Sequence, residues 1–356
     1  MIRRVAVAVA ASTVSLVAAG VIGRRLTDRL LHAPRVLPEE AALGPALDAL
    51  GGEVIRLRAR DGVRLAGRWL PAEPGDAEWV PDPHEAILLL HGYMGSIAPD
   101  LVEYGPYLRR TAGVLGLDFR GHGASDDGPS TFGLLESEDV AGALAWLGER
   151  GVVRVALVGT SMGGTVAIVS VAVLGDGTLA GADAEPAAPR HVEPAPRPRI
   201  IAVVADSVAP ELETPIAARL PGPATRFLAA RLFDGAARKL GADPRATEPA
   251  RVIGLLEPVP VLLIHGDQDA TVPIAEGRRL AGLAGPSTRH WIVPGADHSQ
   301  AHATAPQDYE RRTTDFLRMA LATARPDDPG PIGSGPIIAG PDAPSGDPID
   351  TTPTED

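Results

Sequence analysis

The run Gly159-Thr160-Ser161-Met162-Gly163 constrains this chain most, because it follows the apolar stretch Val155 to Val158 and leads straight into another, Met162 to Val169. A serine between two glycines at a strand-to-helix junction fits a G-x-S-x-G elbow. The chain turns there within about one residue and holds the serine hydroxyl up in a strained backbone geometry. Side chains at Gly159 and Gly163 would collide in so tight a turn, and Gly164 lets the following helix lie close on the sheet. Chance alone produces on the order of 0.2 such matches in a chain with 40 glycines among 356 residues, so the pattern needs partners.

A serine hydroxyl is a weak nucleophile at neutral pH; it needs a histidine to take its proton and an acid to fix the histidine's tautomer. Downstream, Val259 to Ile264 runs as an apolar strand into His265-Gly266-Asp267-Gln268-Asp269-Ala270-Thr271-Val272-Pro273. Trp291-Ile292-Val293 then runs into Pro294-Gly295-Ala296-Asp297-His298-Ser299. The order Ser161, Asp269, His298 is that of an α/β-hydrolase triad and differs from the orders used by chymotrypsin-like and subtilisin-like enzymes.

From roughly Asp61 to Leu321 the chain resembles the α/β-hydrolase superfamily, in particular the branch of serine-aminopeptidase-like proteins and monoacylglycerol-lipase-like esterases. The resemblance is carried by Asp61-Gly62-Val63-Arg64-Leu65, His91-Gly92-Tyr93-Met94-Gly95, the run from Asp118 to Ser125, the elbow, the run from His265 to Pro273, and Gly295-Ala296-Asp297-His298. It implies Ser161 as nucleophile, His298 as base and then acid, and Asp269 as orienter. Asp267 then caps its turn and Asp297 shapes the histidine loop. It also implies an oxyanion hole from the backbone N–H groups of Tyr93 and Met162. A single glycine before Tyr93 departs from the glycine-rich version of that loop, which argues against bulky, branched alcohol substrates.

The other histidines read differently. His91, His122 and His265 sit at strand ends, where loop geometry explains them. His298 and His302 are four apart, a metal-compatible spacing, but no H-E-x-x-H glutamate accompanies them and the chain has no cysteine, so no metal and no cofactor are expected. Absence of cysteine also excludes disulfides and a thiol nucleophile. The net charge is −12, and Lys239 is the one lysine among 33 basic residues. No basic stripe crosses the folded region, which argues against nucleic acid as a partner. The expected partner is a small-molecule ester substrate.

Arg3 and Arg4 precede an uncharged run from Val5 to Gly23, stopped by Arg24 and Arg25. As a helix it reaches roughly 28 Å, one hydrocarbon thickness. Residues 5–23 are therefore expected to anchor the protein in a membrane; the alternative is cleavage after Val17-Ala18-Ala19 and secretion. Basic residues flank the run on both sides and leave its orientation open. The run ends well before the first strand, so a chain starting near Leu37 is expected to keep the whole catalytic core.

Glu53 to Arg60 alternates as a half-exposed strand does and turns at Asp61-Gly62 into a second. Short apolar runs then recur at 86–90, 114–117, 155–158, 200–205, 261–264 and 291–293, separated by helical patterns such as 139–147. This predicts an α/β-hydrolase fold: a mostly parallel sheet with helices on both faces and a short cap insertion. The expected layout is an anchor and juxtamembrane segment over 1–35, a catalytic domain over 36–324 with its cap about 208–256, and a disordered tail over 325–356. The run 175–198, rich in Pro, Ala and Gly, reads as a surface loop. In the cap, Phe227, Leu228, Leu232 and Phe233 are expected to form an apolar wall for an acyl group. The leading functional expectation is a carboxylic-ester hydrolase. The alternatives are a peptidase or amidase of the same fold, or a binding protein that keeps the fold without catalysis.

Overall fold

The computed structural model describes residues 20–32, 34–35, 37–74, 79–175 and 197–325. Outside them lie the expected membrane segment up to residue 19, the tail from 326, and nearly all of the loop over 175–198. No helix among the described residues is long and apolar enough to cross a membrane.

The described residues open with α1 (20–31), α2 (Leu37–Leu50), β1 (Glu53–Arg58), β2 (Arg64–Leu70), β3 (Glu85–Leu90), α3 (Ile97–Leu108), β4 (Gly113–Leu117) and α4 (Glu136–Gly148). Next come β5 (Arg154–Thr160), α5 (Met162–Leu174), β6 (Arg199–Asp206), α6 (Glu213–Ala218), α7 (Thr225–Leu240) and α8 (Pro249–Val252). It closes with β7 (Val261–Gly266), α9 (Ile274–Leu283), β8 (Thr288–Val293), α10 (Ala301–Thr304) and α11 (Pro306–Ala324). One sheet has the order β1-β2-β4-β3-β5-β6-β7-β8. The hairpin pairs antiparallel with itself and with β4, and every pairing from β4 through β3 to β8 is parallel.

Alternation of side chains across the pleat explains why the inner strands read as unbroken apolar runs: both faces of the sheet are covered. In β3, Leu88 and Leu90 join a core with Leu144 of α4 and Val166 of α5, while Ile87 and Leu89 join another with Leu101 of α3 and Phe316 of α11. Parallel strands ending on one side place the loops after β5, β7 and β8 together, which is where ligands bind in open α/β sheets.

Three elements depart from expectation. The stretch before Gly52 contains α2, whose prolines and lack of an apolar stripe hide it from pattern reading; Leu47 and Leu50 pack onto the core. Helix α1 is docked on the catalytic domain, with Leu30 and Leu31 only 6% and 1% exposed. Residues 20–31 are thus more than a connector, and a chain starting near Leu37 would lose core contacts. In the insertion between β6 and β7, Leu232 and Phe233 face inward, but Phe227 is 66% and Leu228 43% exposed.

Candidate active site

Ser161 lies between the end of β5 and the first turn of α5 with φ 52° and ψ −113°, a conformation costly for any residue with a side chain. Its own N–H donates to the Asp206 carbonyl at 2.8 Å, which ties the turn to the neighbouring strand end. Glycine at 163 is obligatory, because a Cβ there would strike the Leu90 carbonyl. The turn therefore presents the Ser161 hydroxyl above the sheet, as the sequence predicts.

His298, in the loop after β8, brings Nε2 to 3.0 Å from Ser161 Oγ and Nδ1 to 2.8 Å from Asp269 Oδ2. An ionised carboxylate only accepts, so Nδ1 carries the proton toward Asp269 and Nε2 is left to accept from the serine hydroxyl. Asp269 is buried, and its other oxygen accepts the N–H groups of Thr271 at 2.8 Å and Val272 at 2.7 Å. Those bonds fix the carboxylate facing the imidazole. The three predicted residues are thus brought together from the ends of three parallel strands.

The neighbouring acids have other contacts. Asp267 Oδ1 accepts the Gly295 N–H at 2.7 Å, and Asp297 Oδ1 accepts the N–H groups of His298 at 2.7 Å and Ala270 at 3.0 Å. Both brace the loops that carry Asp269 and His298, and neither is hydrogen-bonded to the imidazole. Both nitrogens of His298 are engaged, and His302 turns away to Glu103 at 2.8 Å and Glu310 at 3.2 Å. The two histidines do not converge.

The N–H groups of Tyr93 and Met162 are not taken up by any carbonyl or side chain among the described residues. Gly92 is seated against Ser161, so the loop after β3 runs beside the serine. Two histidines hold that loop. His91 Nε2 accepts the Phe119 N–H at 3.1 Å, and His122 Nε2 accepts the Met94 N–H at 3.3 Å. Burial pushes His91 down to about 3 and lowers His122 as well, so both stay neutral and able to accept. Arg120, buried between Asp139 and Asp61, braces the base of the same region.

The cleft above Ser161 is lined by Tyr93 and Phe132 on one side and by Leu212, Pro215, Ile216 and Arg219 of the β6–β7 insertion on the other. The insertion's wall of the cleft is therefore α6 and its approach; α7 packs behind α6, and its Phe233 ring lies 6.0 Å from Phe132 of the opposite wall. The free space over the serine is about 20 Å³, room for roughly one water. Sequence reasoning also missed Ser207, whose hydroxyl accepts the N–H of Ser299, the residue after His298, at 2.9 Å. Its one signal was its place directly after an apolar strand.

With this geometry in view, the likenesses to known proteins are consistent. The family model described as the alpha/beta hydrolase family matches residues 87–312. The uncharacterized protein YfhR of Escherichia coli K12 is 28% identical over 290 residues, covering 80% of this chain and 86% of YfhR. The esterase Pf2001 of Pyrococcus furiosus superposes with a TM-score of 0.56 at 22% identity, over 82% of this chain and 98% of the esterase. GrgF, an alpha/beta hydrolase of Penicillium sp. sh18, gives 0.53 at 18% identity over 76% and 99%. Since the family model spans well over half of the sequence, the chain belongs to the alpha/beta hydrolase family.

Proposed function

We propose that this protein is a serine hydrolase that cleaves a carboxylic ester through an acyl-serine intermediate. The observation that carries the reading is the unbroken line from Ser161 Oγ through His298 to Asp269, with contacts of 3.0 and 2.8 Å, mounted on a strained serine. Ser161 Oγ attacks the ester carbonyl carbon while its proton passes to His298 Nε2. The carbonyl oxygen becomes an oxyanion facing the Tyr93 and Met162 N–H groups. Collapse breaks the bond to the alcohol oxygen, which leaves with the proton from His298. Water, deprotonated by the same imidazole, then cleaves the acyl-serine. A purely binding role would leave the strain at Ser161 without a use.

Two arguments favour an ester over a peptide. An alkoxide demands less of the general acid than an amine does. Moreover, Arg219 is the one charged side chain among the described residues lining the cleft, and a cation there repels a peptide's terminal ammonium. The β6–β7 insertion serves as the cap. Residues 5–23 are read as a membrane anchor on their sequence alone. The test is the purified protein assayed against p-nitrophenyl acyl esters beside aminoacyl-anilides. Faster, Ser161-dependent cleavage of the anilides would replace the esterase reading with a peptidase.

A further inference from the structure

The last carbonyls of a helix have no donor within it. At the end of α1 the catalytic domain supplies those donors. Tyr93 Oη donates to the Leu30 carbonyl at 2.9 Å, and the Ser130 N–H donates to the Leu31 carbonyl at 2.6 Å. Just beyond the helix, the Arg35 guanidinium donates to the carbonyls of Gly123 at 2.8 Å and Ser125 at 2.6 Å. On its other flank α1 meets α7: Lys239 pairs with Asp28 at 2.6 Å, and a Cβ at Gly235 would lie 2.5 Å from Thr27 Oγ1.

Tyr93 joins this docked helix to the chemistry. Its backbone N–H faces the proposed oxyanion, its ring lies 4.9 Å from Phe132 in the cleft wall, and its hydroxyl reaches Leu30. Burial raises that hydroxyl to about 12, so it remains a donor at any working pH. We propose that α1 is a positioning element of the active site, in which the Leu30 carbonyl fixes Tyr93 and, through it, both the oxyanion N–H and one wall of the cleft. The proposal rests on the ester-hydrolase reading and adds to it. Cleavage after Ala19 would keep every described residue of α1.

The test uses the full chain. Tyr93→Phe keeps the ring and loses only the donor, so kcat on a p-nitrophenyl ester is expected to fall roughly three- to tenfold, with KM within about twofold and the fluorophosphonate labelling rate falling in step. Gly235→Ala pushes a methyl at Thr27 and should lower kcat in the same direction; adding Thr27→Ala should restore it. Because both routes act through Tyr93, Gly235→Ala should cost little more in the Tyr93→Phe background. Unchanged kcat in Tyr93→Phe, or independent effects that multiply, would overturn the role of α1 while ester hydrolysis stood. No labelling of the wild-type chain would sink the hydrolase reading and this proposal with it.

Discussion

The Ser207 hydroxyl accepts the Ser299 N–H at 2.9 Å and donates to Asp206 Oδ1 at the same distance, so the end of β6 is tied to the residue that follows His298. Both serines are in the left-handed region, with φ 58° and 55°. The bond joins two strained turns. Beneath it Asp206 is fully buried, and burial pushes its carboxyl up to about 7.

Ser207→Ala should therefore leave the Ser299 N–H without its partner and loosen the loop that carries His298. We expect kcat to fall about tenfold and stability to drop by about 1–3 kcal/mol, the cost of leaving the buried Asp206 Oδ1 without the donor that Ser207 supplies. Steady-state kinetics and thermal melts check both. Unchanged values in both would show that the bond holds nothing in place.

Asp269→Asn should lower kcat by roughly 10⁴, because an amide can present its NH₂ to the imidazole and favour the wrong tautomer. Asp267→Asn and Asp297→Asn should cost less than about tenfold, since these side chains accept backbone N–H groups and, at Asp267, the Gln268 amide at 3.3 Å, all of which an amide oxygen can also accept. Comparable losses at Asp269 and Asp297 would reassign the orienting acid.

Much of this site was legible because each part is locally encoded. The glycines at 159 and 163 mark the elbow, and the spacing from His265 to Pro273 marks the turn that folds back onto Asp269. What escaped was tertiary. Nothing near Leu30 or Tyr93 in the sequence signals that one bonds to the other across 63 positions. The amphipathic stretch from Arg226 to Phe233 was visible, but which of its faces meets the cleft depends on how α7 docks. That docking turns Phe227 outward and leaves the cleft wall to Leu212 and Ile216 of the preceding segment.

A chain beginning at Leu37 should be less stable than one beginning at Gly20. Removing α1 uncovers the places of Leu30 and Leu31, each worth about 1.5–3 kcal/mol of burial. Thermal melts of the two chains decide the point. Equal melting temperatures would show that α1 adds nothing to the fold.

His302 should make stability depend on pH in one direction. The Glu103 hydrogen bond holds its imidazole above the ordinary value of 6.5, with Glu310 adding to the effect. A raised folded value means that the stabilisation is complete below the ordinary value and is lost as pH rises through the folded one. The melting-temperature gap between wild type and His302→Gln should be widest near about pH 6 and close toward about pH 9. A gap that stays constant or widens would contradict the pairing.

The proposed hydrolysis depends before anything else on attack by Ser161 at the substrate's carbonyl. Its most direct test is kcat on p-nitrophenyl butyrate for the wild-type protein and for Ser161→Ala, a change that removes one hydroxyl and no core volume. Wild-type turnover that falls by on the order of 10⁵ in the variant, with melting unchanged, is the expected result. Turnover retained within about tenfold would contradict the account.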